Sequence, residues 1–117
     1  MESRLEEMEK RIQHLEERVK LMLELCDYER HPFIYTMLEA NSTKDQIDKV
    51  LDLMDEARSS LQSVKPMHHA EFERRVYVII PQRKGDYHFA EDIIATLNKE
   101  GRYTDVYQHM KKSGMNI

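Results

Sequence analysis

The chain has 117 residues, of which 40% are hydrophobic and 34% charged, enough for one domain with a helical extension but only a modest core per chain. A net charge of −4 argues against nucleic-acid phosphate as the main partner, and the single cysteine, Cys26, excludes an intramolecular disulfide. No N-terminal apolar stretch reaches signal-peptide or membrane-spanning length, so the reading is cytoplasmic with no membrane partner, and three glycines and three prolines are few enough breakers for long helices.

From Glu2 to about Asp27 there is no Gly or Pro, and Leu5, Met8, Ile12, Leu15, Val19 and Met22 recur at alternating steps of three and four. That is a heptad seam with Leu5, Ile12 and Val19 at position a and Met8, Leu15 and Met22 at d, continued by Cys26 at a as a buried, inert thiol. Leu21, Leu23 and Leu25 widen the apolar face, as expected where a helix passes from a seam into a shared core. Residues 1–27 are accordingly expected to be a coiled-coil oligomerisation helix, and 28–117 a helical body.

A second helix is predicted from Pro32, whose missing N–H suits a first turn, with Phe33, Ile34, Met37 and Leu38 as its apolar stripe. Thr43 with Gln46 three residues on fits a capping box opening a third helix, buried through Ile47, Val50, Leu51, Met54, Ala57 and Leu61. Periodicity is lost from Ser59 to Met67, which reads as a helix end and a loop. The run Val76–Ile80 suits a strand by composition, but Phe72, Val76 and Ile79 have helical spacing and nothing else in the chain could pair with a strand, so a helix ended by Pro81 is preferred. An exposed turn over Gln82–Asp86 follows, then a helix over His88–Glu100 stopped by Gly101, then a last helix from about Tyr103 to Lys112. The expected fold class is all-α: a long N-terminal coiled-coil helix followed by a multihelical body of four to five short helices, in an intertwined homo-oligomer.

Flanking the seam, position g carries Arg4 and Arg11 and position e carries Glu9 and Glu16. In a parallel arrangement g of one chain faces e of the next heptad on its neighbour, so Arg4–Glu9 and Arg11–Glu16 attract, whereas antiparallel pairing brings arginine near arginine. Arg4-Leu5-Glu6-Glu7-Met8-Glu9 and Arg11-Ile12-Gln13-His14-Leu15-Glu16 both follow a trimerisation pattern of arginine, apolar, two free positions, apolar, glutamate. There the arginine stem covers the wider core and its fork reaches the neighbouring glutamate. β-Branched Ile12 and Val19 at a lean toward a dimer. A parallel homotrimer is the favoured reading, a dimer the next.

Chemistry-bearing clusters are sparse. His68-His69 with Glu71 lacks the His-x-x-x-His or Cys-x-x-Cys spacing that closes a zinc site, and no phosphate loop, nucleophile elbow or paired acid and base stands out. No enzyme, catalytic residue, metal or cofactor is expected. Arg74, Arg75, Arg83 and Lys84 form the densest basic region and the candidate nucleic-acid patch, against which the overall acidity works. Tyr28, His31, Phe33 and Tyr35 gather aromatic groups at the junction of stalk and body and read as packing.

Several segments together resemble the YhaI-like family, small helical proteins of Bacillus-type bacteria and their phages. They are Arg11–Glu16, the Asp27-Tyr28-Glu29-Arg30-His31-Pro32-Phe33 junction, Ser42 to Glu56, and Leu97-Asn98-Lys99-Glu100-Gly101-Arg102-Tyr103 as a helix–Gly–x–Tyr–helix turn. Pro81 and the Gln82-Arg83-Lys84-Gly85 turn depart from it. The resemblance implies an all-α, multihelical, oligomeric fold and no particular activity. The functional expectation is therefore a homo-oligomeric protein-interaction module, an adaptor or stoichiometric regulator that binds itself and another protein. The alternatives are a nucleic-acid-associated regulator or a small-ligand sensor with a site between subunits.

Overall fold

In a computed structural model, which describes residues 2–117 and side chains from Ser3 onward, six α-helices follow one another with no strand among the described residues. They are α1 (Glu2–Glu24), α2 (Pro32–Glu39), α3 (Lys44–Ser60), α4 (His69–Ile79), α5 (Phe89–Lys99) and α6 (Thr104–Lys112), with a single 3-10 turn at Pro81–Arg83 before α5.

The starts and stops follow from local chemistry. Pro32 occupies the first turn of α2, where its absent N–H leaves nothing unsatisfied. At α3 both halves of the capping box form: the Thr43 hydroxyl accepts from the Gln46 N–H at 3.1 Å and the Gln46 side chain accepts from the Thr43 N–H at 2.9 Å. The ambiguous Val76–Ile80 run is helical up to Ile79, and Pro81 ends it. Helical spacing prevails over β-branched composition here because Phe72, Val76 and Ile80 then reach one core while Val78 points outward. Past α5, Gly101 adopts φ +76, which glycine takes at no steric cost, so that the Arg102 N–H closes onto the Leu97 carbonyl.

The body is built around α5, which packs against α2, α4 and α6, while α3 packs against α4 and α6. Phe89, Ala90, Ile93, Ile94, Thr96 and Leu97 are all buried and make one broad face of α5, while Asp92 and Lys99 on the opposite side stay exposed, and the Thr96 hydroxyl is satisfied by the Ile93 carbonyl at 3.0 Å. Phe33 and Met37 of α2, Val50, Leu53, Met54 and Ala57 of α3, Phe72 and Val76 of α4 and Val106 and Met110 of α6 complete one core. Leu53 belongs to it although the expected inner face of α3 omits it.

Three expectations are corrected. The seam does not run on to Cys26: α1 stops at Glu24, Leu25 and Cys26 close 3-10-type turns onto Met22 and Leu23, and the thiol is half-buried outside the helix. Leu21 and Leu25 do not enter the body's core but stay exposed, Leu25 to 86%. On α2 only half of the apolar stripe is used, since Phe33 and Met37 are buried while Ile34 and Leu38 remain 40% and 43% exposed.

Candidate oligomerisation surface

A 23-residue α-helix is about 34 Å long, and α1 projects far enough for the molecule to measure 61 × 29 × 22 Å. Among its described side chains from Ser3 to Glu24, Leu23 alone is partly buried and every other is exposed. Leu5, Met8, Ile12, Leu15, Val19 and Met22, the six positions expected to form a seam, keep 52–65% of their surface in contact with solvent. They lie along one stripe of the helix, as the three-and-four spacing requires. An isolated helix of this length is marginal in water, and most helix stability in proteins comes from packing an amphipathic face. In one chain that face has nothing to pack against along most of its length.

The flanking charges sit as the heptad places them: Arg4 and Arg11 on one side of the stripe, Glu9 and Glu16 on the other. Within the chain, an Arg11 guanidinium nitrogen lies 3.6 Å from the Glu7 carboxylate one turn earlier, with both side chains mostly exposed. Such a pair contributes about 0.3–0.5 kcal/mol, so Arg11 can exchange it for another carboxylate at little cost.

Where α1 approaches the body, an open groove of about 870 Å³ forms. Its α1 wall is Ile12, Leu15, Glu16, Val19, Lys20 and Leu23, and its body wall is Leu38 and Glu39 of α2 with Asn41 and Arg83. Hydrogen bonds join the two parts of the body wall. Arg83 donates to the Glu39 carbonyl at 2.8 Å, and the Gln82 amide donates to the carbonyls of Ala40 and Asn41, both at 3.3 Å. The Gln82–Asp86 turn is thus docked against the end of α2. The Glu39 carboxylate raises the pKa of Tyr35, by its charge first and by hydrogen bonding second. At the stalk–body junction Tyr28 meets Tyr35 edge to face at 5.4 Å, while Phe33 is fully buried.

The four basic residues are divided between two places. Arg74 and Arg75 lie on α4, where the Arg75 guanidinium donates to Glu56, lowering the pKa of that carboxyl through the hydrogen bond. Arg83 is directed to α2 and, at 3.9 Å, to Asp86, and Lys84 is exposed beyond it. His68 serves as the N-cap of α4, its Nδ1 accepting from the Ala70 N–H at 3.1 Å, and His69 lies 3.5 Å from Glu73. Among the described residues no group of three His, Cys, Asp or Glu could hold a metal ion, and no helix is long and apolar enough to cross a membrane.

A contact with no local sequence signal ties the start of α2 to the end of α5: the Glu100 carboxylate accepts from the Phe33 N–H at 2.9 Å. It caps the start of α2 from 67 residues away. The neighbouring His31 supplies no side-chain cap.

A family described as proteins of unknown function (DUF1878) matches residues 5–113, and the chain belongs to it. No solved structure matches the chain.

Proposed function

We propose that this chain works as a homo-oligomeric, non-catalytic protein-interaction module whose subunits associate in parallel through α1, as trimers first and dimers next. The observation that carries the reading is the stripe from Leu5 to Met22, six large apolar side chains more than half exposed on a helix with almost no packing of its own. Singly exposed apolar residues are ordinary, but a continuous helical stripe marks an interaction face. Arg4–Glu9 and Arg11–Glu16 favour the parallel orientation because they attract across it and oppose arginine to arginine in the other.

Full burial is worth roughly 1.5–3 kcal/mol per large apolar side chain, and about half remains to be gained at each seam position, which gives about 5–9 kcal/mol per chain. Two chains therefore gain about 10–18 kcal/mol between them, against an association cost on the order of 4–15 kcal/mol plus the ordering of the seam side chains, so the seam alone leaves a modest margin that contacts on the body would widen. Bringing several bodies together multiplies every outward surface, so that a weak single contact with another protein becomes a strong multivalent one. That is how an adaptor or stoichiometric regulator gains affinity without a deep pocket.

An Ile12→Asp variant tests the reading, because a carboxylate at the middle a position would be buried without a partner. Light scattering should show the variant as a monomer with an intact helical body. An unchanged oligomer would move the interface elsewhere. A partner protein recovered with the wild type should be recovered far less well with the monomeric variant.

A further inference from the structure

The first two heptads of α1 each pair an arginine at g with a glutamate five residues on at e, Arg4 with Glu9 and Arg11 with Glu16. The third heptad breaks the rule: Arg18 stands at g, and the residue five positions on is Leu23. In a parallel assembly the g side of one helix meets the e side of its neighbour, so an incoming Arg18 arrives over Leu23, where α1 offers no carboxylate. Leu23 is also the one described α1 side chain that is partly buried, and it lines the groove together with Leu38 and Glu39 of α2.

The groove lies on the correct side for this. Its α1 wall consists of a, d and e positions with Lys20 at b, while the column of g arginines, Arg4, Arg11 and Arg18, is on the far side of the seam. A second helix in parallel register therefore turns its own arginine column toward the groove. We propose that Glu39 supplies the carboxylate missing from the third heptad: α1 of a second copy of this chain lies in the groove, with its Arg18 stem over Leu23 and Leu38 and its guanidinium on Glu39. This rests on the self-association of α1 proposed above and extends the interface from the stalk onto the body.

The groove is charge-balanced, with Glu16 and Glu39 against Lys20 and Arg83. Arg83, however, is turned onto the Glu39 carbonyl and toward Asp86, and among the described residues no ion pair reaches the Glu39 carboxylate, which is left for an incoming guanidinium. The occupant also accounts for Leu38, left 43% exposed on α2 although it faces the groove, because a neighbouring arginine stem would cover it.

Two measurements on the full chain test the inference. In the first, the mass is followed by light scattering over a dilution series for the wild type, Arg18→Glu, Glu39→Lys and the double exchange. Each single reversal should raise the dissociation midpoint about tenfold, and the double exchange should recover most of that loss. In the second, an Arg18→Cys chain and a Glu39→Cys chain, both carrying Cys26→Ser, are mixed and oxidised, and a disulfide between the two chains should form. The groove assignment fails if both reversals leave the midpoint unchanged, or if no mixed disulfide forms while Leu15→Cys chains still cross-link through the seam. In that outcome self-association through α1 stands. A wild type that is monomeric throughout removes both.

Discussion

Gln46 and Gln82 face each other across the body through a two-way amide pair, each Nε2 donating to the other's Oε1 at 3.1 and 3.0 Å. The same two side chains reach further: Gln46 donates to the Ile79 carbonyl at 3.0 Å and accepts from Thr43 as half of the α3 capping box. Four segments, the ends of α2 and α4, the start of α3 and the 3-10 turn, are thereby fixed to one another.

Removing either glutamine should cost about 1–2 kcal/mol, because several backbone groups lose their partners at once. Gln46→Ala and Gln82→Ala should be clearly less than additive, since both break the same pair. Urea unfolding in the Ile12→Asp background, at fixed protein concentration, separates this from any change in assembly. Strict additivity would show that the two side chains act separately.

Glu100→Ala should destabilise the body by about 1–2 kcal/mol, although residue 100 is a half-buried surface position at a helix end. The loss would come from the uncapped Phe33 N–H at the start of α2. Amide hydrogen exchange should locate it: protection should fall first in Phe33 to Tyr35, far in sequence from the substitution. Loss confined to α5 would contradict this role.

Much of this architecture is legible in the sequence wherever one residue or a short pattern settles the matter. Pro32 and Pro81 bound helices because proline lacks the N–H that would continue one, Gly101 because it takes a positive φ without steric cost, and Thr43 with Gln46 declares a helix start through two complementary hydrogen bonds. The exit of α1 at Glu24 is not legible, because no Gly or Pro marks it. The break is made by short backbone turns and by the Asp27 carboxylate accepting from the Glu29 N–H at 3.0 Å. Nor could spacing reveal that Gln82 and Arg83, in a turn polar enough to read as solvated, dock on the end of α2. Their partners are carbonyls some forty residues earlier, and backbone carbonyls carry no sequence signature. The groove beside Leu23 was hidden for the same reason: its body wall comes from residues whose placement is decided only by the packing of α2 and the 3-10 turn.

The Glu56–Arg75 pair gives the body a predictable acid response. Its hydrogen bond to Arg75 holds the folded-state pKa of Glu56 below the ordinary value of 4.5. A depressed carboxyl contributes stability that is present above pH 4.5 and is lost as pH falls through the folded value. The pair is partly solvated, so Glu56→Gln should cost no more than about 1 kcal/mol at neutral pH. The difference between variant and wild type should shrink toward zero once pH falls below the folded-state pKa of Glu56. A difference that persists or grows in acid would point to a packing role for Glu56 instead.

The central claim is that α1 is the interface of a homo-oligomer, and the mass of the wild-type chain in solution tests it most directly. Light scattering at micromolar concentration and moderate salt should return three times the 14.1 kDa chain mass, or twice it if Ile12 and Val19 decide the subunit number. A mass equal to one chain at every concentration measured would contradict the account.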